Sequence, residues 1–182
     1  MSDCIKPETR AAGQLSAAGR KLVGYAAIFN QETRIGPFIE TISPGAFSKA
    51  LESGGDVVAM IDHDTGKVLG RTRTGTLRLS QDAKGLAFEL DLPDTQLARD
   101  VLVLAERGDI SEMSFGFLTP KNGETWSGMK RTLKQIDLKE ISIVSAWPAY
   151  SGTSVSARSK EHFDGAMTMQ RRLRLIELGG AI

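Results

Sequence analysis

The stretch Ile110–Thr119 reads ISEMSFGFLT, with Met113, Phe115 and Phe117 on one parity and Ser114, Gly116 and Leu118 on the other. Successive side chains of a strand point to opposite faces, so this alternation is a β pattern and not a helical one. A single strand is not stable in water, so the chain must build a sheet to receive it. Further candidates surround it. Lys21–Asn30 (KLVGYAAIFN) is apolar and aromatic throughout, and Asp56–Asp62 (DVVAMID) reads as a buried strand stopped by the turn His63-Asp64-Thr65-Gly66. From Lys67 to Asp91 the runs VLGRT, TLRLS and GLAFELDL are separated by turn residues, and Lys130–Ser145 is again strand-rich, through LKEISIVS, until Trp147-Pro148-Ala149-Tyr150 ends it.

Two helices are predicted inside this β-rich stretch. A short one has Ser43 as cap, Pro44 at its first position, Phe47 and Leu51 four apart, and Gly54 at its end. A longer one opens at Pro93-Asp94-Thr95, lines one face with Leu97, Val101 and Leu104, and closes at Gly108. Residues 1–19 carry no periodic apolar pattern and read as a flexible arm. The tail, 159–182, has helical spacing in Phe163, Met167 and Met169 beside Arg171, Arg172 and Arg174. No repeat of solenoid period is present. Many short strands with a few helices predict a mainly β fold with flanking helices, a closed or partly closed β-barrel.

A chain of 182 residues is one domain's worth and buries a core without staples. Lys and Arg number 23 against 22 Asp and Glu, so no basic field for nucleic acid arises. Cys4 is the single cysteine, which excludes an internal disulfide and a cysteine-cluster zinc site, and fits a reducing interior. No apolar run approaches the ~20 residues that span a bilayer, and the polar start lacks a signal-peptide core. The expectation is a soluble, intracellular protein.

Phosphate loops, dinucleotide fingerprints, His-Glu-x-x-His, EF-hand loops and the Gly-x-Ser-x-Gly elbow are all missing. Of the two histidines, His162 falls in the polar start of the tail and reads as a solvated surface residue. His63 sits where an apolar strand breaks into a turn, between Asp62 and Asp64. It is either a turn histidine bonded to its neighbours or a functional group held by a strand end. A metal site on His63 with Asp62 or Asp64 lacks a clear third ligand. Ser114 is either an interior serine bonded to backbone or a reactive hydroxyl, and Gly116 leaves open space on its face. Glu140 interrupts an apolar stripe of Ile136, Leu138 and Val144 and needs a partner, either Arg71 or His63.

The segments GYAAIFN, ISPGAF, IDHD followed by LGRT and GTLRLSQDAKGL, LPDT, RGDISEMSFGF and LKEISIVSAWPAY stand in the order found in tailed-phage prohead serine proteases. The chain resembles that family, itself distantly related to herpesvirus assemblin, from about Lys21 to Arg158. The resemblance implies a protease domain over 20–158 with the barrel of the herpesvirus-protease type. It places the family's histidine on His63, its nucleophile on Ser114, and its third member on Glu140, with Asp137 and Ser142 close by.

By this resemblance the chain is a serine endopeptidase, needing no cofactor, that cuts scaffold or scaffold-like segments of the major capsid protein, and itself. It works in a host bacterial cytoplasm, inside the immature capsid. Its implied partners are the major capsid protein with its scaffold segment, with the portal and its own copies as further candidates; neither nucleic acid nor membrane is among them. The order His, Ser, Glu differs from those of the familiar serine hydrolases. Oxyanion donors are sought in backbone amides at Ser145–Trp147, with Arg71 and Arg107 as alternatives better explained as surface ion pairs. Two rival readings are a non-catalytic barrel serving as a capsid or scaffold component and a metal-dependent hydrolase using His63.

Overall fold

The computed structural model describes residues 8–18 and 20–145. In chain order the elements are β1 (Glu8–Ala18), β2 (Lys21–Ile28), β3 (Thr33–Ile35), β4 (Phe38–Ile42), α1 (Ser48–Glu52), β5 (Val58–Ile61), β6 (Asp64–Arg71), β7 (Leu77–Gln81), β8 (Gly85–Asp91), α2 (Gln96–Arg107), β9 (Glu112–Leu118), β10 (Glu124–Ser127), β11 (Lys130–Leu133) and β12 (Asp137–Val144). They build an eight-stranded sheet in the order β6-β5-β12-β9-β1-β2-β8-β7 and a four-stranded sheet in the order β10-β11-β4-β3. The fold is mainly β, with two short flanking helices among the described residues.

The alternating segment becomes β9, near the middle of the large sheet. Its Met113, Phe115 and Phe117 lie in the core. Phe115 stacks on Phe117 with ring centroids 5.3 Å apart, and Phe47 meets Phe115 edge-on at 5.8 Å. Ser114 and Gly116, on the opposite face, are buried as well. Helix α2 matches its prediction: Thr95 Oγ1 accepts from the Ala98 N–H, and Gly108 at φ 78° closes the helix. Around α1, Ser43 makes no side-chain cap; the helix starts after Phe47, although Gly54, at φ 64°, follows it as expected.

One expectation is corrected. Glu8–Ala18, inside the segment expected to be a flexible arm, is β1, paired antiparallel with β2 on one side and β9 on the other. Its small residues give no strand signal of their own, and the ladders on both sides supply the order. The expected closed or partly closed barrel is not shown: neither sheet closes on itself, and no ladder joins β6 to β7. These edge strands are connected through a 3-10 turn at Thr72–Thr74, and the Arg71 N–H donates to Thr76 Oγ1 at 3.0 Å. A Cβ at Gly70 would lie 2.6 Å from Leu90 Cδ1, so a side chain of β8 packs directly against the β6 backbone. The tail helix expected over 161–178 lies outside the described residues.

Candidate active site

The strands that carry the candidate groups are neighbours. β12 lies between β5, to which it is parallel, and β9, to which it is antiparallel. In that register Ser142 pairs with Ser114 and Glu140 pairs with Gly116, so these residues share one face of the sheet. The predicted stripe of Ile136, Leu138 and Val144 around Glu140 does not form. Leu138 pairs with Phe117 but Glu140 pairs with the next residue, Gly116, leaving Lys139 as a bulge. The extra residue exchanges faces, sending Leu138 to the core and Glu140 to the side of Ser114.

His63 arrives through a hairpin. Ile61 of β5 pairs with Asp64 of β6, so Asp62 and His63 form a two-residue turn, with φ 50° and 59°. Positive φ at both central positions is the signature of a type I′ turn, which matches strand twist and usually recruits Asn-Gly. A histidine there costs about 1–3 kcal/mol of backbone strain. Several bonds hold it. Asp62 donates its N–H to the Ile143 carbonyl at 2.9 Å, and its carboxylate accepts from the Ser145 N–H at 2.8 Å and from the Ser145 hydroxyl. The His63 N–H reaches Ser142 Oγ at 3.2 Å.

The imidazole is thereby turned back over β12, where His63 Nδ1 lies 2.7 Å from Glu140 Oε1. Glu140's partner is therefore His63, not Arg71. Its other oxygen, Oε2, accepts from Ser142 Oγ at 2.6 Å. The open space expected beside Gly116 is occupied by this carboxylate: a Cβ at Gly116 would stand 2.3 Å from Glu140 Oε1. The pair is shielded, with His63 22% and Glu140 13% exposed, which strengthens a charge-assisted hydrogen bond.

Ser114 occupies the adjoining strand but its hydroxyl is engaged elsewhere. Oγ donates to the Arg10 carbonyl of β1 at 2.6 Å, and the residue is 2% exposed. The structure thus joins His63 to Glu140 and sets Ser114 on the same face, without a hydrogen bond between Ser114 and His63.

The other candidates are drawn off. Asp137 pairs with Lys139 at 2.7 Å in solvent. Arg71 is held by Asp56, and Arg107 pairs with Asp109 at 2.8 Å, so both arginines are surface ion-pair partners. The Ser145 N–H is committed to Asp62, while 146–147 lie outside the described residues, as does His162. Asp64 accepts from the Gly66 N–H at 2.9 Å and pairs with Lys67 at 3.3 Å; these partners hold its carboxyl below the usual range. Neither flanking aspartate therefore joins His63 in a donor set, and among the described residues no three His, Cys, Asp or Glu are grouped to hold a metal.

Ser142 and Asp62 carry more of this architecture than the sequence suggests. Ser142 was legible in principle, since it stands two residues after Glu140 on a strand and must share its face. Asp62's grip on Ser145 spans 83 positions and has no local signal.

The family model of the caudovirus prohead serine proteases matches residues 6–166. No curated protein and no solved structure matches the chain.

Proposed function

The chain belongs to the caudovirus prohead serine protease family, and from that premise we propose that it is a capsid-maturation endopeptidase with Ser114 as nucleophile, His63 as general base and Glu140 as the orienting carboxylate. Family membership supports a serine protease acting in the prohead, in contact with capsid proteins. The observation that carries the residue roles is the 2.7 Å bond between His63 Nδ1 and Glu140 Oε1, one strand from Ser114 and on its face.

The chemistry follows from that bond. A carboxylate can only accept, so Nδ1 carries the proton and Nε2 is left as the base. A serine hydroxyl is a poor nucleophile until its proton is taken. Rotation of Ser114 about χ1 would release Oγ from the Arg10 carbonyl and offer that proton to Nε2 as Oγ attacks the scissile carbonyl. The imidazolium so formed, stabilised by Glu140, then protonates the leaving amine. Water repeats the cycle on the acyl-enzyme. The substrates proposed are the scaffold segment of the major capsid protein and the protease itself, inside the immature shell in the host bacterial cytoplasm.

Ser114→Ala removes one oxygen and should abolish processing of the capsid protein when the two are co-expressed, read by mass spectrometry of the products. Normal processing would overturn the assignment. A fluorophosphonate probe separates this reading from a non-catalytic capsid or scaffold component, because only an activated serine is labelled.

A further inference from the structure

We propose that Ser142 is a positioning residue of the triad, which fixes the orientation and the tautomer of His63 through Glu140. Ser142 lies wholly inside the protein, at 0% exposure, on the face that carries Ser114 and Glu140. Its Oγ takes part in two bonds at once, accepting the His63 N–H at 3.2 Å and lying 2.6 Å from Glu140 Oε2. With the 2.7 Å contact of His63 Nδ1 to Glu140 Oε1, these close a ring of hydrogen bonds from the backbone of His63 through Ser142 and Glu140 to its imidazole.

The direction of that ring is forced. A backbone N–H can only donate, so the Ser142 hydroxyl accepts from His63 and sends its single proton to Glu140. An ionised carboxylate only accepts, so its other oxygen draws the proton of Nδ1 and leaves Nε2 bare. Ser142 also acts mechanically. His63 sits at φ 59° in a two-residue turn, and its N–H bond to Ser142 ties that strained backbone to the carboxylate that holds its ring. Removing the hydroxyl frees Glu140 Oε2 and the His63 N–H together, so the carboxylate can rotate and the ring can follow.

This inference rests on the triad reading, and the test separates the two. The full chain is titrated with a fluorophosphonate, and the rate of labelling is resolved into a maximal rate and an affinity. In Ser142→Ala the maximal rate should fall about 10- to 100-fold with affinity unchanged. The downfield proton resonance of the His63 Nδ1–H, assigned by its loss in His63→Gln, should broaden or vanish. Ser142→Thr, which keeps the hydroxyl, should recover the resonance and most of the rate. A folded Ser142→Ala with wild-type rate and resonance would overturn the proposal, as would a loss confined to affinity. If Ser142→Ala does not fold, Ser142→Thr decides: wild-type resonance and labelling support the role, and a folded threonine variant lacking the resonance refutes it. Labelling that survives in Ser114→Ala, or that proceeds at the wild-type rate in Glu140→Gln, would instead sink the triad reading itself.

Discussion

Gly116 is the residue over which the Glu140 carboxylate is seated, and a methyl group there would have to occupy the space of Oε1, 2.3 Å away. The carboxylate cannot yield without dragging Nδ1 of His63. Gly116→Ala should therefore fold normally, as alanine suits a strand at least as well, yet lose about 100-fold in turnover, the scale of a misplacement of about 1 Å. Turnover within twofold of wild type, by peptide cleavage, would mean that Glu140 is not held where it acts. Glu140→Gln keeps the shape and removes the charge that the proposed mechanism sets behind the imidazolium. A loss of about 10²–10⁴ in turnover is expected, while Asp137→Asn, at a solvent-exposed ion pair, should change little. The reverse ranking would move the third member to Asp137. At this scale the sequence discloses residue types but not what fills the space between them. Gly116 beside Ser114 suggests room for a substrate, whereas a carboxylate from the next strand takes that room.

Among the elements, strands with full alternation or long apolar runs were legible: β2, β5, β7, β8 and β9 all fall where the pattern puts them. β1 was not, since ETRAAGQLSAA has no period and few residues that favour strands, and its order comes from ladders to residues far along the chain. β12 was found, but its face was misassigned, because a bulge leaves no mark in the periodicity around it. The bulge makes a counterintuitive prediction. On a regular strand, deleting Lys139 would invert the face of Glu140 and destroy the site. In the observed register Lys139 is the unpaired extra residue, so its deletion leaves Leu138 opposite Phe117 and Glu140 opposite Gly116. The deletion should fold and keep activity within about tenfold, the loss coming from reduced local twist. An inactive, unfolded product would show that the ladder is regular.

Across the whole molecule, the two sheets are tied by a buried ionic network. Glu40 of β4 receives Arg10 of β1 at 3.0 Å and Arg131 of β11 at 2.9 Å, and Glu8 of β1 closes the set on Arg131 at 2.8 Å. Burial pushes the Glu8 carboxyl up, but the hydrogen bond from Arg131 and the charges of Arg10 and Arg131 outweigh it and hold the group at about 2, against 4.5 ordinarily. A folded-state value below the unfolded one stabilises the fold above pH 4.5, and that contribution fades as pH falls towards 2. The gap corresponds to at most about 3 kcal/mol. Glu8→Gln should melt well below wild type at pH 6, and the two melting curves should converge as pH approaches 2.5, where most of the advantage is gone. A constant difference across that range, by calorimetry, would mean that Glu8 is not the titrating link.

The pairing of β5 with β12 also bears on when the protein can act. His63 and Glu140 are 77 positions apart, and the Ser114 hydroxyl and its acceptor on β1 are 104 apart. Contacts of such separation form late, and parallel pairs later still, because the loop entropy is lost before any bond rewards it. If the proposed triad is the cutting site, a chain emerging from the ribosome carries none until β12 is released and has found both neighbours, after β7 and β8 have paired. On dilution from denaturant, fluorophosphonate labelling should appear with the slowest kinetic phase and lag the first gain of β-sheet circular dichroism. On the proposed assignment, synthesis itself thus imposes a dead time between release of the chain and its first cut.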